Sequence, residues 1–475
     1  MSFIDVRQFI NSLEKENEAT QIEKEVSWNL EVGAMLRYSI EAKLPAPFFK
    51  KITDYPSGYT IFGNMLSNYR RISVAMGVDP DTPPKELMEE YTKREKHPIK
   101  PVRVDKGPCK ENIDSGEKVD LFKFPSPLIH EGDGGRYIGT WNIVITQDMD
   151  SDWVNWGMYR VMVLDKNKVT IHAGSYTHFG SMLSGCRERG QAMKAAIVIG
   201  AEPVSTMCAA APIPYGISEP DIAGAIRGDP IELVKGETSD LLVPAAAEIV
   251  IEGEIRPGET SMEGPFGEYT GYIVSPKAPA PVFHVDAVTY RDNPILCVSC
   301  AGVPVYDEHA MGPIIQGAEY LEALRKRGLP VVSVNLLPEC SNLLLVVSTK
   351  TPYAMIAEEI AHVVWGTRGG RYVPYLVIVN EDVDPFNTTQ VLHALASKCH
   401  PYRGIVKQEK AVGIPLFPWA SRYERDHEIG ARAYFDCTWP VEWDKSDVPR
   451  RVSFNDLYSS QLQKRTVEIW EEHGY

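Results

Sequence analysis

The sequence lacks the signatures that most often announce an enzyme class. Among its 475 residues there is no GxGxxG opening a helix after a strand, no GxxxxGK phosphate loop, no HExxH and no GxSxG elbow. Dinucleotide-fold, P-loop, zincin and α/β-hydrolase chemistries therefore have nothing to stand on. No apolar run approaches the roughly 18 residues of a membrane span. The opening MSFIDVRQFI carries Asp5 and no basic region ahead of an apolar stretch, unlike a secretory signal. Lys and Arg total 49 against 64 Asp and Glu, a net charge of −15, and they form no basic cluster. Nucleic acid and membrane are excluded as expected partners, and an anionic ligand would need local positive charge. The eight cysteines are scattered, which fits reduced thiols in a soluble, cytoplasmic chain. Cys297 and Cys300 make the one CxxC. With β-type flanks and no second pair, they read as a buried strand.

What is present is an ordinary globular composition, 44% hydrophobic and 24% charged, on a chain long enough for two or three domains. Residues 1–110 read as a small α/β region, with a helix over 6–13 and a strand over 59–62. Residues 88–120 are charged and proline-punctuated and read as an exposed connector. From 111 to 312, β-branched runs recur at 141–146, 159–164, 169–172, 195–199, 248–254, 282–289 and 295–300, with one helix near 191–195. That pattern predicts a mainly antiparallel sheet, closed or nearly closed as a barrel. From 313 to 475, helices at 318–327, 352–365 and 388–398 alternate with strands at 331–336, 343–348 and 376–379, an α/β domain. An amphipathic helix over 456–472 ends the chain and suits docking on a neighbouring subunit.

Two glycine-rich loops, Gly132 to Tyr137 and Gly366 to Arg371, each join glycines to a basic residue; tight turns are the commoner use of such loops, anion cradles the rarer. Asn155, His178 and Glu219 offer an amide oxygen, an imidazole and a carboxylate, donors that Mn²⁺ accepts. Spacing alone does not join them, and unrelated polar groups remain the alternative. Arg160, beside Tyr159 and Val161 in a strand pattern, must find an anion if it points inward, whether a ligand or a structural carboxylate. Glu263 and Glu268 flank a Gly-Pro-Phe-Gly turn. If both share a pocket with Arg160, one can pair with the cation while the other, desolvated, keeps a proton to donate. Surface glutamates beside a turn are the plainer reading.

These pieces together resemble the UbiD family of prenylated-flavin-dependent decarboxylases over nearly the whole chain. The resemblance is carried by Gly134 to Ile138, Asn155 to Arg160, Ser218-Glu219 with Ala223-Gly224-Ala225, Glu263 to Gly271, and Glu381 to Asn387. It implies a central split β-barrel, flavin reductase-like, that binds the flavin, with a small N-terminal α/β part and a C-terminal α/β domain for oligomerisation. It implies reversible decarboxylation of an aromatic or heteroaromatic acid through a covalent adduct with prenylated FMN, the cofactor held through Mn²⁺, often with K⁺ nearby. By residue match, Asn155, His178 and Glu219 would be the metal ligands. Met158, Tyr159, Arg160, Thr177, Ala210, Ala211 and Pro212 would line the cofactor. Arg160 would orient the substrate carboxylate, Glu263 would hold Arg160, and Glu268 would donate the proton. Implied partners are the acid, CO₂, a flavin prenyltransferase as cofactor supplier and a second copy of the chain in a homodimer or homohexamer.

Two departures stand out. Pro374 occupies the position of a phosphate-contacting lysine, leaving Arg368 or Arg371 to replace it. The segment Ala301 to His309 makes Tyr306 and His309 candidates for the substrate pocket, although a histidine at a helix start is more often structural. Two other readings are a flavin oxidoreductase on the same barrel, which lacks a nicotinamide motif here, and a silent subunit of a multi-component carboxylase, which intact Arg160, Glu263 and Glu268 argue against.

Overall fold

A computed structural model describes residues 2–474, whose strands form four sheets accompanied by helices; the smallest sheet joins Leu242–Pro244, Glu232–Lys235 and Val102–Val104. The N-terminal sheet has four strands in the order Ala19–Ile22, Ala46–Phe49, Thr60–Gly63 and Ile295–Val298. Its last strand returns from far along the chain to pair in parallel with Thr60–Gly63. Cys297 and Cys300 are both buried there as free thiols. The helix Val6–Lys15 turns Val6, Phe9, Ile10 and Leu13 inward, the i, i+3, i+4, i+7 stripe that its sequence shows.

The central sheet has nine strands and every pairing in it is antiparallel. Its order runs Tyr137–Gly139, Val161–Asp165, Lys168–Ile171, Ala278–Tyr290, Ile249–Glu263, Met193–Ile199, Asn142–Gln147, Val154–Gly157, with Asn112–Ser115 beside Ala278–Tyr290. Ile249–Glu263 and Ala278–Tyr290 are the longest strands, and their register shifts at Glu252/Gly253. Gly253 is required at that bulge, since a Cβ there would lie 1.8 Å from the His284 carbonyl oxygen. The five-stranded C-terminal sheet runs Val331–Leu336, Leu344–Thr349, Tyr375–Asn380, Ile429–Cys437, Ile405–Val412. The helices Asp307–Lys326, Ile356–Trp365 and Thr388–Lys398 accompany it.

Three expectations are corrected. No helix forms near 191–195; Met193–Ile199 is a strand hydrogen-bonded on both sides, because pairing in the middle of a sheet overrides the helix preference of Met, Lys and Ala. The helices of this region are instead His178–Glu188, Pro203–Ala209 and Glu219–Arg227. Residues 88–120 are not a plain connector. Pro84–Glu95 is a helix that buries Leu87, Met88, Tyr91 and Thr92, while Val102–Val104 and Asn112–Ser115 each pair with a strand. Finally, the terminal helix is split into Phe454–Leu457 and Ser460–Glu472, the second capped by Ser459. Among the described residues no helix is long and apolar enough to cross a membrane.

Candidate active site

Glu263 is the last residue of its long strand, and Glu268 follows in the loop beyond it. That loop is braced by the first glycine-rich loop: Gly134 N–H donates to the Pro265 carbonyl at 2.7 Å, and Gly267 N–H donates to Asp133 Oδ1 at 2.9 Å. A Cβ on Gly134 would lie 1.8 Å from the Gly264 oxygen, so only glycine lets the two loops touch. Arg136 of the same loop turns away, donating to the Ser126 carbonyl at 2.7 Å with its guanidinium 4.2 Å from the Trp28 ring centre.

Arg160 precedes the strand Val161–Asp165 and reaches both carboxylates. Its Nε donates to Glu263 Oε1 at 2.8 Å and its Nη2 to Glu263 Oε2 at 2.7 Å, while Nη1 donates to Glu268 Oε1. Tyr137 OH adds a 2.7 Å hydrogen bond to Glu263, and His172 Nδ1 lies 3.3 Å from Glu263 Oε2. The two acids are both buried, yet they are driven in opposite directions. Burial raises Glu263, but the hydrogen bonds from His172 and Arg160 outweigh it and hold its carboxyl down at about 2. For Glu268 burial wins over Arg160, and its carboxyl is raised above the usual range.

A second polar group gathers at the edge strand Val154–Gly157. Asn155 lies on that strand, and His178 and Glu219 are each the first residue of a helix aimed at it. His178 Nδ1 lies 3.1 Å from Asn155 Oδ1, and Trp156 N–H donates to Glu219 Oε2 at 2.8 Å. Thr177 caps the His178 helix by accepting from Gly180 N–H at 3.0 Å. Burial, then Arg368, holds the His178 imidazole neutral, its pKa down at about 4; burial pushes the Glu219 carboxyl up to about 7. Among the described residues no cluster of three or more His, Cys, Asp or Glu side chains stands ready for a metal. Here an imidazole touches an amide oxygen, and a carboxyl is held by the backbone of the next residue on the same strand. That donor set, with a buried carboxyl that no Lys or Arg pairs with among the described residues, fits a divalent cation.

Both groups border one cavity of about 640 Å³. Asn155, Met158, Tyr159, Arg160 and Thr177 line it from one side, and Ala210, Ala211, Pro212 and Glu219 from another. His178 is not on the wall but sits behind Asn155, its ring edge-on to Trp153 at 4.9 Å. Arg368 enters the wall from the C-terminal α/β region, donating from Nη1 to the Ile213 carbonyl and lying 3.3 Å from His178 Nδ1. Arg371 is spent elsewhere, stacked 3.8 Å over the Tyr176 ring. Tyr306 lines the cavity, but His309 does not: its Nε2 meets the Tyr269 carbonyl at 2.7 Å in a fully buried position, where the peptide carbonyl orients the ring.

Sequence reasoning passed over three residues of this site. Tyr137 lay inside a quoted motif, and His172 ended a predicted strand two residues from Thr170, on one face. Glu308 also lines the cavity, and nothing in its local sequence separates it from an ordinary first-turn helix acid.

Comparison with known proteins fits this arrangement. Residues 10–91, 100–304 and 309–437 match the N-terminal, Rift-related and C-terminal domains of the 3-octaprenyl-4-hydroxybenzoate carboxy-lyase family, UbiD. The chain belongs to the UbiD family and is a carboxy-lyase. It is 33% identical over 490 residues to pyrrole-2-carboxylic acid decarboxylase of Pseudomonas aeruginosa, covering 100% of this chain and 99% of that one. Ferulic acid decarboxylase 1 of Saccharomyces cerevisiae is 31% identical, covering 99% and 98%. Among solved structures, vanillic acid decarboxylase of Sedimentibacter hydroxybenzoicus in its closed form superposes with a TM-score of 0.89 at 29% identity, over 99% of both chains. The UbiD-class enzyme HmfF of Pelotomaculum thermopropionicum in complex with FMN gives 0.83 at 28% identity, over 94% and 97%.

Proposed function

We propose that this chain removes CO₂ reversibly from an aromatic or heteroaromatic carboxylic acid, with prenylated FMN held through Mn²⁺. One observation carries the reading: a single guanidinium on a cavity wall is shared by two buried carboxyls, one pinned as the anion and the other inclined to keep its proton. Relatives named as decarboxylases of pyrrole-2-carboxylic and ferulic acids, and an HmfF complex with prenylated FMN, support it.

Asn155, His178 and Glu219 would hold the metal, and Met158, Tyr159, Thr177 and Ala210 to Pro212 the flavin. Arg368 takes the phosphate contact in place of the lysine that Pro374 displaces. Prenylated FMN, when bound, supplies the electron sink that an aryl carboxylate lacks. Glu263 fixes the plane of Arg160 and leaves Nη1 to orient the substrate carboxylate. As the C–C bond breaks and CO₂ departs, Glu268 delivers its proton to the carbon left behind; in carboxylation the ionised Glu268 takes it back. The buried wall around both acids keeps water from competing for that carbon.

In this reading the nine-stranded sheet is a split barrel around the flavin, and the C-terminal domain assembles two or more copies. Ser460–Glu472 buries none of its residues in its own chain, with Leu462 and Ile469 exposed, which supports such a partner. The direct test is CO₂ release from a panel of aromatic acids by protein co-expressed with a flavin prenyltransferase. Release from at least one acid is expected; none from any would refute the assignment.

A further inference from the structure

Just ahead of the first glycine-rich loop sits a buried ion pair that the chemistry described above does not use. The Asp133 side chain has no exposed surface. Its Oδ1 accepts from Gly267 N–H at 2.9 Å, one residue before Glu268. Its Oδ2 accepts from His130 N–H at 3.0 Å and faces His130 Nδ1 at 3.1 Å. Among the described residues no Lys or Arg pairs with it. On the other side of the ring, His130 Nε2 lies 2.9 Å from the Ala301 carbonyl oxygen and 3.5 Å from the Cys300 sulfur. The Cys300 S–H donates to the Gly33 carbonyl at 3.7 Å, so the sulfur offers the ring a lone pair.

Both ring nitrogens therefore face acceptors. A neutral imidazole has one N–H and would set a bare lone pair against a carboxylate or a carbonyl; the imidazolium has two and satisfies both. A carboxylate with no exposed surface also needs a cation beside it. Burial lowers the His130 ring, but Asp133 and then Cys300 outweigh it and raise its pKa to about 10. The charged form thus holds through the neutral range and is lost as pH rises through about 10. The ring also packs on the acid loop. A Cβ on Gly267 would lie 2.5 Å from Nδ1, and the Phe266 ring stands T-shaped to the imidazole at 5.9 Å.

We infer that His130 and Asp133 form a positioning pair that ties the loop carrying Glu268 to the pocket wall at Ala301, and so keeps the proton donor buried beside Arg160. Neither side chain lines the cavity, so the pair acts through Glu268 and not on a substrate. The inference rests on the role proposed for Glu268 above. Burial raises the Glu268 carboxyl against Arg160 and His172, with Glu263 and Glu308 as acidic neighbours. A loosened loop would admit water, and the carboxyl would fall back toward the ordinary range.

Two measurements test the pair. In full-length protein labelled with ¹⁵N-histidine, the His130 ring is assigned by its absence from His130→Gln. Both its nitrogens should be protonated at about pH 8, where an ordinary imidazole has lost its charge. A neutral ring there overturns the inference without any assay of turnover. In holoenzyme, on any acid of the panel that releases CO₂, His130→Gln and Asp133→Asn should each lower kcat by about tenfold to 10²-fold, as for a misplaced catalytic group. Each should also move the alkaline limb of the kcat profile about one unit toward lower pH, with flavin content retained. The double variant should lose no more than the worse single, since each change breaks the same pair. An unchanged kcat, or a fall in kcat with the alkaline limb in place, overturns this inference and leaves the decarboxylase reading standing. No CO₂ release by the unaltered holoenzyme from any acid overturns that reading and this inference with it.

Discussion

Arg160 and Glu263 face each other through two parallel hydrogen bonds, Nε to Oε1 at 2.8 Å and Nη2 to Oε2 at 2.7 Å. This fork fixes the guanidinium plane more firmly than a single contact could, and it commits the Nε–Nη2 edge of Arg160 to the protein. Nη1, which donates to Glu268, and the second N–H of Nη2 are left outside the fork to face a substrate carboxylate.

Glu263→Gln keeps the shape and removes the charge. Turnover is expected to fall about 10²-fold, as for a misplaced orienting group, while FMN binding holds. The folded Glu263 carboxyl sits at about 2, below its ordinary value. Its contribution to stability, about 3 kcal/mol, is present above the ordinary carboxylate pKa and lost as pH falls through about 2. Acid unfolding of Glu263→Gln, followed by circular dichroism, should therefore depend less on pH in that window than that of the unaltered protein.

Glu268 must hold a proton to deliver it. Burial raises its pKa, so decarboxylation persists above the ordinary carboxylate range and declines as pH rises through the Glu268 value. Glu268→Gln should lose about 10²- to 10⁴-fold in kcat with flavin content unchanged. A pH profile of kcat, set beside the flavin absorbance of the variant, checks both.

Arg368 approaches the cavity from the C-terminal α/β region, with no carboxylate in ion-pair contact among the described residues. If it grips a phosphate, Arg368→Ala weakens FMN by about tenfold or more, in the range of a charge-assisted hydrogen bond, and leaves riboflavin unchanged. Fluorescence titration with both flavins separates this from general damage to the pocket.

His178 sits behind Asn155 rather than on the cavity wall, so its removal tests the metal more than the surface. His178→Ala should lose Mn²⁺ and flavin together, read by metal analysis and absorbance on one sample. Loss of flavin with metal retained would remove His178 from the ligand set.

Much of this arrangement could be read before any coordinates. The apolar stripe of Val6, Phe9, Ile10 and Leu13, and the β-branched runs of the middle region, follow local periodicity that packing then uses directly. Arg160, Glu263 and Glu268 were visible as charges inside a strand pattern or around a rigid turn, but local pattern left surface glutamates as the plainer reading, and only the family resemblance joined the three into one site. The run 195–199 was legible as a strand too, but the helix expected near 191–195 was not borne out, since the neighbours Asn142–Gln147 and Ile249–Glu263 extend that strand back to Met193. The helix His178–Glu188 holds Gly180 and Gly185, poor helix formers, and depends on its Thr177 cap and buried Phe179, Met182 and Leu183. Glu308 was invisible for a different reason: its character comes from the burial and the sparse donors around it, which only the assembled cavity defines.

The most direct test of the central claim is the cofactor itself. Protein co-expressed with a flavin prenyltransferase should release a flavin whose absorbance and mass are those of prenylated FMN, with about one Mn²⁺ per chain, matching the single Asn155–His178–Glu219 group. Unmodified FMN without metal, under conditions that load a known relative, would contradict the account.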